Sequence, residues 1–206
     1  MLEKLPEAIG HALSGVRAGL DDIVFNTAGL RAGHGTLELT SLAFGDHAPI
    51  PQRYTADGEG LSPPLAWTGV PAGTAELVLI VEDADSPTPW PLVHAIAVKL
   101  PSEDGHLSEG AWPSPDHEGE GLHAGRNSYL QAAWLPPDPP PGHGPHRYAF
   151  QLYALAAGEP LDETPGRDAL VDAIKARAMA SGLLIGTYAR GDGTIPVGDA
   201  GAVAAG

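Results

Sequence analysis

Hydrophobic and polar positions change period several times along this chain, and each change predicts an element. Residues 77–81, LVLIV, are continuously apolar, rich in β-branched side chains and followed by turn residues, which predicts a short strand buried on both faces. Residues 93–101, VHAIAVKLP, predict a return strand, with His94 on the face of Ile96 and Val98. From His146 to Leu155 the period is two. His146, Tyr148, Phe150 and Leu152 share one face, and Arg147, Gln151 and Tyr153 the other. Residues 36–44 alternate well enough for a further strand. Residues 45–68 read as coil pinned by Ile50, Tyr54, Leu61, Leu65 and Trp67. Behind Pro6, Ile9, Leu13, Val16 and Leu20 form one helical stripe, so residues 6–20 predict a helix that folds onto its own domain or meets a second copy. Residues 102–125, acidic and glycine-rich, predict a long solvated loop, and residues 191–206, without period, a frayed tail. The expected organisation is a helical extension over 1–35, a domain over 36–190 and a flexible Gly/Ala-rich tail.

Composition narrows the function classes. At 43% hydrophobic and 18% charged the chain is globular, and 27 glycines with 21 prolines suit the turns of a loop-rich β protein. A formal charge of −15 repels phosphate backbones and anionic lipid surfaces, so neither nucleic-acid binding nor membrane insertion is expected. Having no cysteine, it can build no disulfide, thiolate metal site or cysteine nucleophile. Glu3, Pro6 and Glu7 break any signal-like apolar stretch, and no run reaches the ~18 apolar residues of a spanning helix. A soluble cytoplasmic protein is the expectation.

Two stretches carry candidate chemistry. Asp83 and Asp85 leave the end of the buried strand two residues apart, on one side, before Pro87, Pro89 and Pro91 turn the chain, and His94 follows on the return. Acids before prolines also suit plain turn chemistry. In the second stretch, prolines and glycines over 135–145 lead into the strand that His146 opens. Glycine amides there can approach an anion, and His146 can supply a positive donor. Arg126, beside Asn127, suits either a bidentate clamp on a carboxylate or a structural brace, and His143 reads as a solvated loop residue.

The strings DGEGLSPPLAW (57–67), VPAGTAELVLIVEDADSP (70–87), VHAIAVKLP (93–101), GRNSY (125–129) and PPPGHGPHRYAFQLYAL (139–155) resemble the phosphatidylethanolamine-binding protein family, and within it the bacterial Raf-kinase-inhibitor-like branch. Residues 169–190 look like that branch's closing helix and last strand. The resemblance implies a mainly β fold with some α, an antiparallel β-sandwich with a few peripheral helices and a small anion pocket at one end. Carried over, the pocket falls on Asp83, Asp85, His94, Pro139, Gly144, His146 and Tyr148, with Arg126, Arg147 and Pro87 in support. Departures are Ala84 in place of the motif's middle proline, which is expected to loosen the turn, the small residues Leu92, Val93 and Ala95 around His94, and Ala133-Trp134 at the lip. A cis bond is implied at Ser86–Pro87. The expected function is binding of a phosphate- or carboxylate-bearing small ligand, with His94 or His146 as imidazolium, no cofactor, no metal, and a homodimer as one arrangement. The alternatives are an acid–base enzyme of cyclase or isomerase type using Asp83, Asp85, His94 and His146 without a covalent nucleophile, and a kinase- or protease-inhibitor module.

Overall fold

The computed structural model describes residues 7–30, 34–114 and 118–190, so the expected tail over 191–206 lies outside the described residues. In chain order the elements are α1 (Glu7–Leu13), α2 (Val24–Thr27), β1 (Gly35–Thr36), β2 (Glu38–Thr40), β3 (Ala48–Pro49), β4 (Leu65–Thr68), β5 (Glu76–Asp83), β6 (Leu92–Leu100), β7 (Gly105–Leu107), β8 (Ala124–Gly125), β9 (His146–Leu155), α3 (Arg167–Arg177) and β10 (Ala178–Tyr188). The larger sheet runs β1-β10-β9-β5-β6-β8, with β3 also beside β10, and the smaller runs β2-β4-β7. Both are open. β5, β6, β9 and β10 pair antiparallel, whereas β1 and β3 meet β10 in parallel.

The continuous apolar runs have a simple cause: the central strands are covered on both faces. Leu77, Leu79 and Val81 of β5 pack with Phe150 and Leu152 into the core between the sheets, where Trp67 and Leu39 close the other side. Val78 and Ile80 point the opposite way, with Tyr153, beneath Leu170 and Ile174 of α3 and Val24 of α2. Each such side chain contributes about 1.5–3 kcal/mol when fully buried. The expected mainly β sandwich with peripheral helices is therefore present.

Local patterning failed in three places. α1 stops at Leu13, not Leu20, because Ser14 turns its hydroxyl back onto the His11 carbonyl and Gly15 follows; Val16 is left 49% exposed. The strand expected over 36–44 is split between the sheets, β1 pairing with β10 and β2 with β4. The loop expected over 102–125 contains β7 and β8 and, fully buried, Trp112, whose Nε1–H donates to the Ile96 carbonyl at 3.2 Å. Its acids dominated the sequence pattern, yet one indole decides where the segment lies.

On the helix face, Glu82 is wholly buried. Its carboxylate accepts from Val24 N at 2.8 Å, Gln151 Nε2 at 2.8 Å and Arg167 Nε at 2.7 Å, so one strand residue holds both α2 and α3. Glu82→Ala would leave the Val24 amide and the Arg167 guanidinium without that acceptor and should cost roughly 3–5 kcal/mol. Denaturant unfolding is the check: a shifted midpoint at unchanged slope is expected, with a smaller loss for Glu82→Gln.

Candidate functional site

The end of β5 and the start of β9 meet in register, Asp83 opposite Tyr148. Alternation sends Asp83, His146 and Tyr148 to the inter-sheet side, as it does Val81 and Phe150. His94 arrives differently. The β5–β6 register passes from Val81↔Ala95 to Glu82↔Val93, so His94 is the extra residue of a bulge. Instead of sharing the face of Ile96 and Val98, as alternation predicts, its ring lies 5.1 Å from Tyr148 and 6.3 Å from Trp134, centroid to centroid.

The two aspartates take separate partners. Asp85, 1% exposed, accepts from Arg147 N (2.9 Å), Nε (2.7 Å) and Nη2 (2.7 Å), and Arg17 Nη1 stands 3.0 Å away. Burial is the largest single influence on this carboxyl and would raise its pKa; the hydrogen bonds from Arg147 and Arg17 together outweigh it and hold the value at about 2. Between the aspartates, Ala84 does not loosen the turn. Its N–H donates to the Arg147 carbonyl at 2.9 Å, a bond that a proline could not make, so the β5–β9 pairing runs one residue further. Ser86–Pro87 is trans, as no cis peptide occurs among the described residues.

Asp83 begins a chain of hydrogen bonds. Its Oδ2 meets His146 Nδ1 at 2.7 Å, His146 Nε2 meets His143 Nδ1 at 2.7 Å, and His143 Nε2 meets the Leu13 carbonyl at 2.8 Å. A carbonyl only accepts, so His143 Nε2 carries hydrogen; the remaining two contacts each need one more. The set is satisfied with one proton per contact, whether the inner one is drawn on His146 or on Asp83. His143, 1% exposed, is therefore part of the site and not a solvated loop residue.

His94 donates Nδ1–H to the Leu135 carbonyl at 2.6 Å, which leaves Nε2 as a bare acceptor. Burial pulls its pKa down, against the nearby Asp83 charge, so the ring is neutral. The imidazolium expected at this position is not supported. Tyr148, wholly buried, is held as a phenol by the same desolvation. His94 Nε2, the Tyr148 hydroxyl and Trp134 Nε1 are buried and unpaired, one acceptor and two donors around one imidazole. Orphaned groups of this kind cost about 1–3 kcal/mol each until a water or another polar group meets them.

Of the other expected residues, Pro139 is buried, its carbonyl accepting from Arg190 Nη1 at 2.9 Å, and Arg190 also grips Asp57 and Asp138. Gly144, at φ +87°, faces the Arg17 guanidinium. Pro87 follows the acids but makes no polar contact with the described residues. Arg126 points into solvent without a side-chain partner; Asn127 holds that loop instead, through Tyr129 N, Gln131 N and the Ala133 carbonyl, and so presents Trp134 and Leu135 to His94. Arg17 was not singled out from sequence and His143 was read as a loop residue, because the Asp85, His143 and Pro145 groups that hold Arg17 and the Leu13 carbonyl that holds His143 are all distant in sequence. Among the described residues no cluster of three or more His, Asp or Glu is arranged to hold a metal ion. Surface grooves of about 540 and 250 Å³ lie at the opposite end of the sheet, around Leu100 and Pro101, with no member of the Asp83 site in their walls.

Asp85 sets an acid limit on stability. Its folded pKa lies below the ordinary 3.8, so its contribution is fully present above about pH 4 and is lost as pH falls through about 2. Wild type should exceed Asp85→Asn by roughly 2 kcal/mol near neutrality, with the gap closing between pH 4 and 2 in denaturant melts.

Comparison with known proteins bears on this geometry. Residues 40–189 match the family model described as phosphatidylethanolamine-binding protein. A UPF0098 protein of Methanothermobacter thermautotrophicus is 35% identical over 156 residues, 75% of this chain and 100% of the relative. One of Mycobacterium tuberculosis is 40% identical, covering 74% and 70%. The solved structure of a putative phosphatidylethanolamine-binding protein homologue from Chlamydia trachomatis superposes at TM-score 0.67 and 34% identity, over 76% of this chain and 99% of that one. YbcL of E. coli superposes at the same TM-score with 25% identity and the same coverage. No helix among the described residues is long and apolar enough to cross a membrane.

Proposed function

As the chain belongs to the phosphatidylethanolamine-binding protein family, we propose that it binds a small molecule through a phosphate or carboxylate group seated between His94, Tyr148 and Trp134. The observation that carries this reading is the unpaired trio itself: His94 Nε2, the Tyr148 hydroxyl and Trp134 Nε1 are buried without partners beside Asp83. Because His94 is neutral and offers only a lone pair, the favoured guest is an acid group that still carries a proton. A singly protonated phosphate monoester gives its P–OH to His94 Nε2 and accepts from Tyr148 and Trp134 at its other oxygens. A dianion would set its charge against that lone pair and against Asp83.

The test is an amide-resolved NMR titration with phosphoethanolamine. Saturable shifts around Asp83, His94 and Gly142 to Tyr148 are expected, weaker at pH 8 than at pH 5.5 because the second phosphate ionisation lies near 6. Tyr148→Phe, which keeps the ring and removes the donor, should weaken binding by about tenfold. Affinity that grows with pH, or silence in these amides, would overturn the reading. One observation favours a second reading, acid–base catalysis: Asp83 Oδ2 and His146 Nδ1 lie 2.7 Å apart, a pair between which a proton can be shared. Product formation that survives Asp83→Ala and His94→Ala would remove it.

A further inference from the structure

Residues 7–19 lie over the outer end of this site, against Pro141, His143 and the turn after β5. α1 rests with Gly10 so tightly on the Pro141 carbonyl that a Cβ there would overlap the oxygen. The Leu13 carbonyl takes the outer end of the histidine chain. Arg17 enters a socket of acceptors, with Nη1 at 3.0 Å from Asp85 Oδ1 and 2.8 Å from the Pro145 carbonyl, and Nη2 at 2.6 Å from the His143 carbonyl. Ala18 N and Gly19 N then donate to the Ser86 and Ala84 carbonyls at 3.3 and 2.6 Å, so the segment pairs along the turn that follows β5.

We infer that residues 7–19 are an intramolecular occupant of an arginine socket formed by Asp85 and the His143 and Pro145 carbonyls, and that their release opens the inner site to ligand. Three observations support a segment that comes and goes. It is held mainly by polar contacts, while Ile9 and Val16 stay 42% and 49% exposed and add little apolar adhesion. Fully buried anchors begin at Ile23 and Val24, with Leu20 packed against the Ile23 cluster, and Gly19, at φ +100°, precedes them as a natural hinge. The matched family region begins at residue 40, so the sandwich and the inner site belong to the shared domain whereas the cap lies outside it. The nature of the ligand rests on the reading above; the cap does not.

Two substitutions open the cap by different means without touching an inner-site side chain. Arg17→Ala empties the socket, and Gly10→Ala lifts α1 from Pro141. Gly15→Ala, on the same segment with nothing within 4 Å of its Cβ, is the control. The first measurement is the rate at which diethyl pyrocarbonate modifies His143, followed by peptide mass spectrometry on full-length protein whose fold is verified by circular dichroism. Both opening variants should react about tenfold faster or more, and the control at the wild-type rate. Unchanged rates in both opening variants would overturn the cap. The second measurement is phosphoethanolamine affinity. Tighter binding in both variants is expected; weaker binding alongside faster modification would make the segment a wall of the binding site and overturn competition. Faster modification with no binding in any form would leave the cap standing and sink the ligand reading.

Discussion

A carboxylate taken out of water must find donors, and this chain buries several carboxylates around the end of its central strand. Asp83 is met by His146 and by the Asp85 amide, Asp85 by the side chain and backbone of Arg147 together with Arg17, and Glu82, on the other face, by Arg167, Gln151 and the Val24 amide. Those demands reach out to β9, α2, α3 and the N-terminal segment. Breaking one partner of such a set costs far more than the set gains over apolar packing, so the arrangement specifies geometry more than it adds stability. The sandwich core supplies the stability.

Division of the polar groups follows from the same constraint. Once Asp85 is saturated by arginines it cannot receive an anion, and it serves as a brace that holds the Arg147 end of β9 against the turn. His146 is spent on Asp83 and His143. What is left over is the His94, Tyr148 and Trp134 trio, buried, close together and unpaired. The chemistry open to the site is set by what the structural contacts do not consume.

The segment before the sandwich changes the meaning of the site's burial. Asp83, Asp85, His94, His143 and His146 are all at most 4% exposed, and part of that cover comes from Leu13 and Arg17. An arginine fits there because its planar fork presents Nη1 and Nη2 to a carboxylate and two carbonyls at once, in a fixed geometry. Gly144, with its positive φ and no side chain, leaves room for the guanidinium.

By itself the sequence determined the central strands, because a period of two and a doubly buried strand are local signals that tertiary packing here obeys; the closing helix and strand, and Asp83 with His146 in one neighbourhood, came from its family resemblance. It also marked His94 and Tyr148 as site residues through its family resemblance. It misplaced the face of His94, since a one-residue bulge reverses alternation without leaving a trace in the pattern. It saw a solvated loop where Trp112 is a core residue, and a clamp or a structural brace in Arg126, which faces solvent. Arg17 gave no signal and His143 was read as a solvated loop residue, because the roles of both exist only once residues far apart in sequence meet at one strand end. Tertiary structure alone decided which donor each buried carboxylate receives, and therefore which polar atoms remain without a partner.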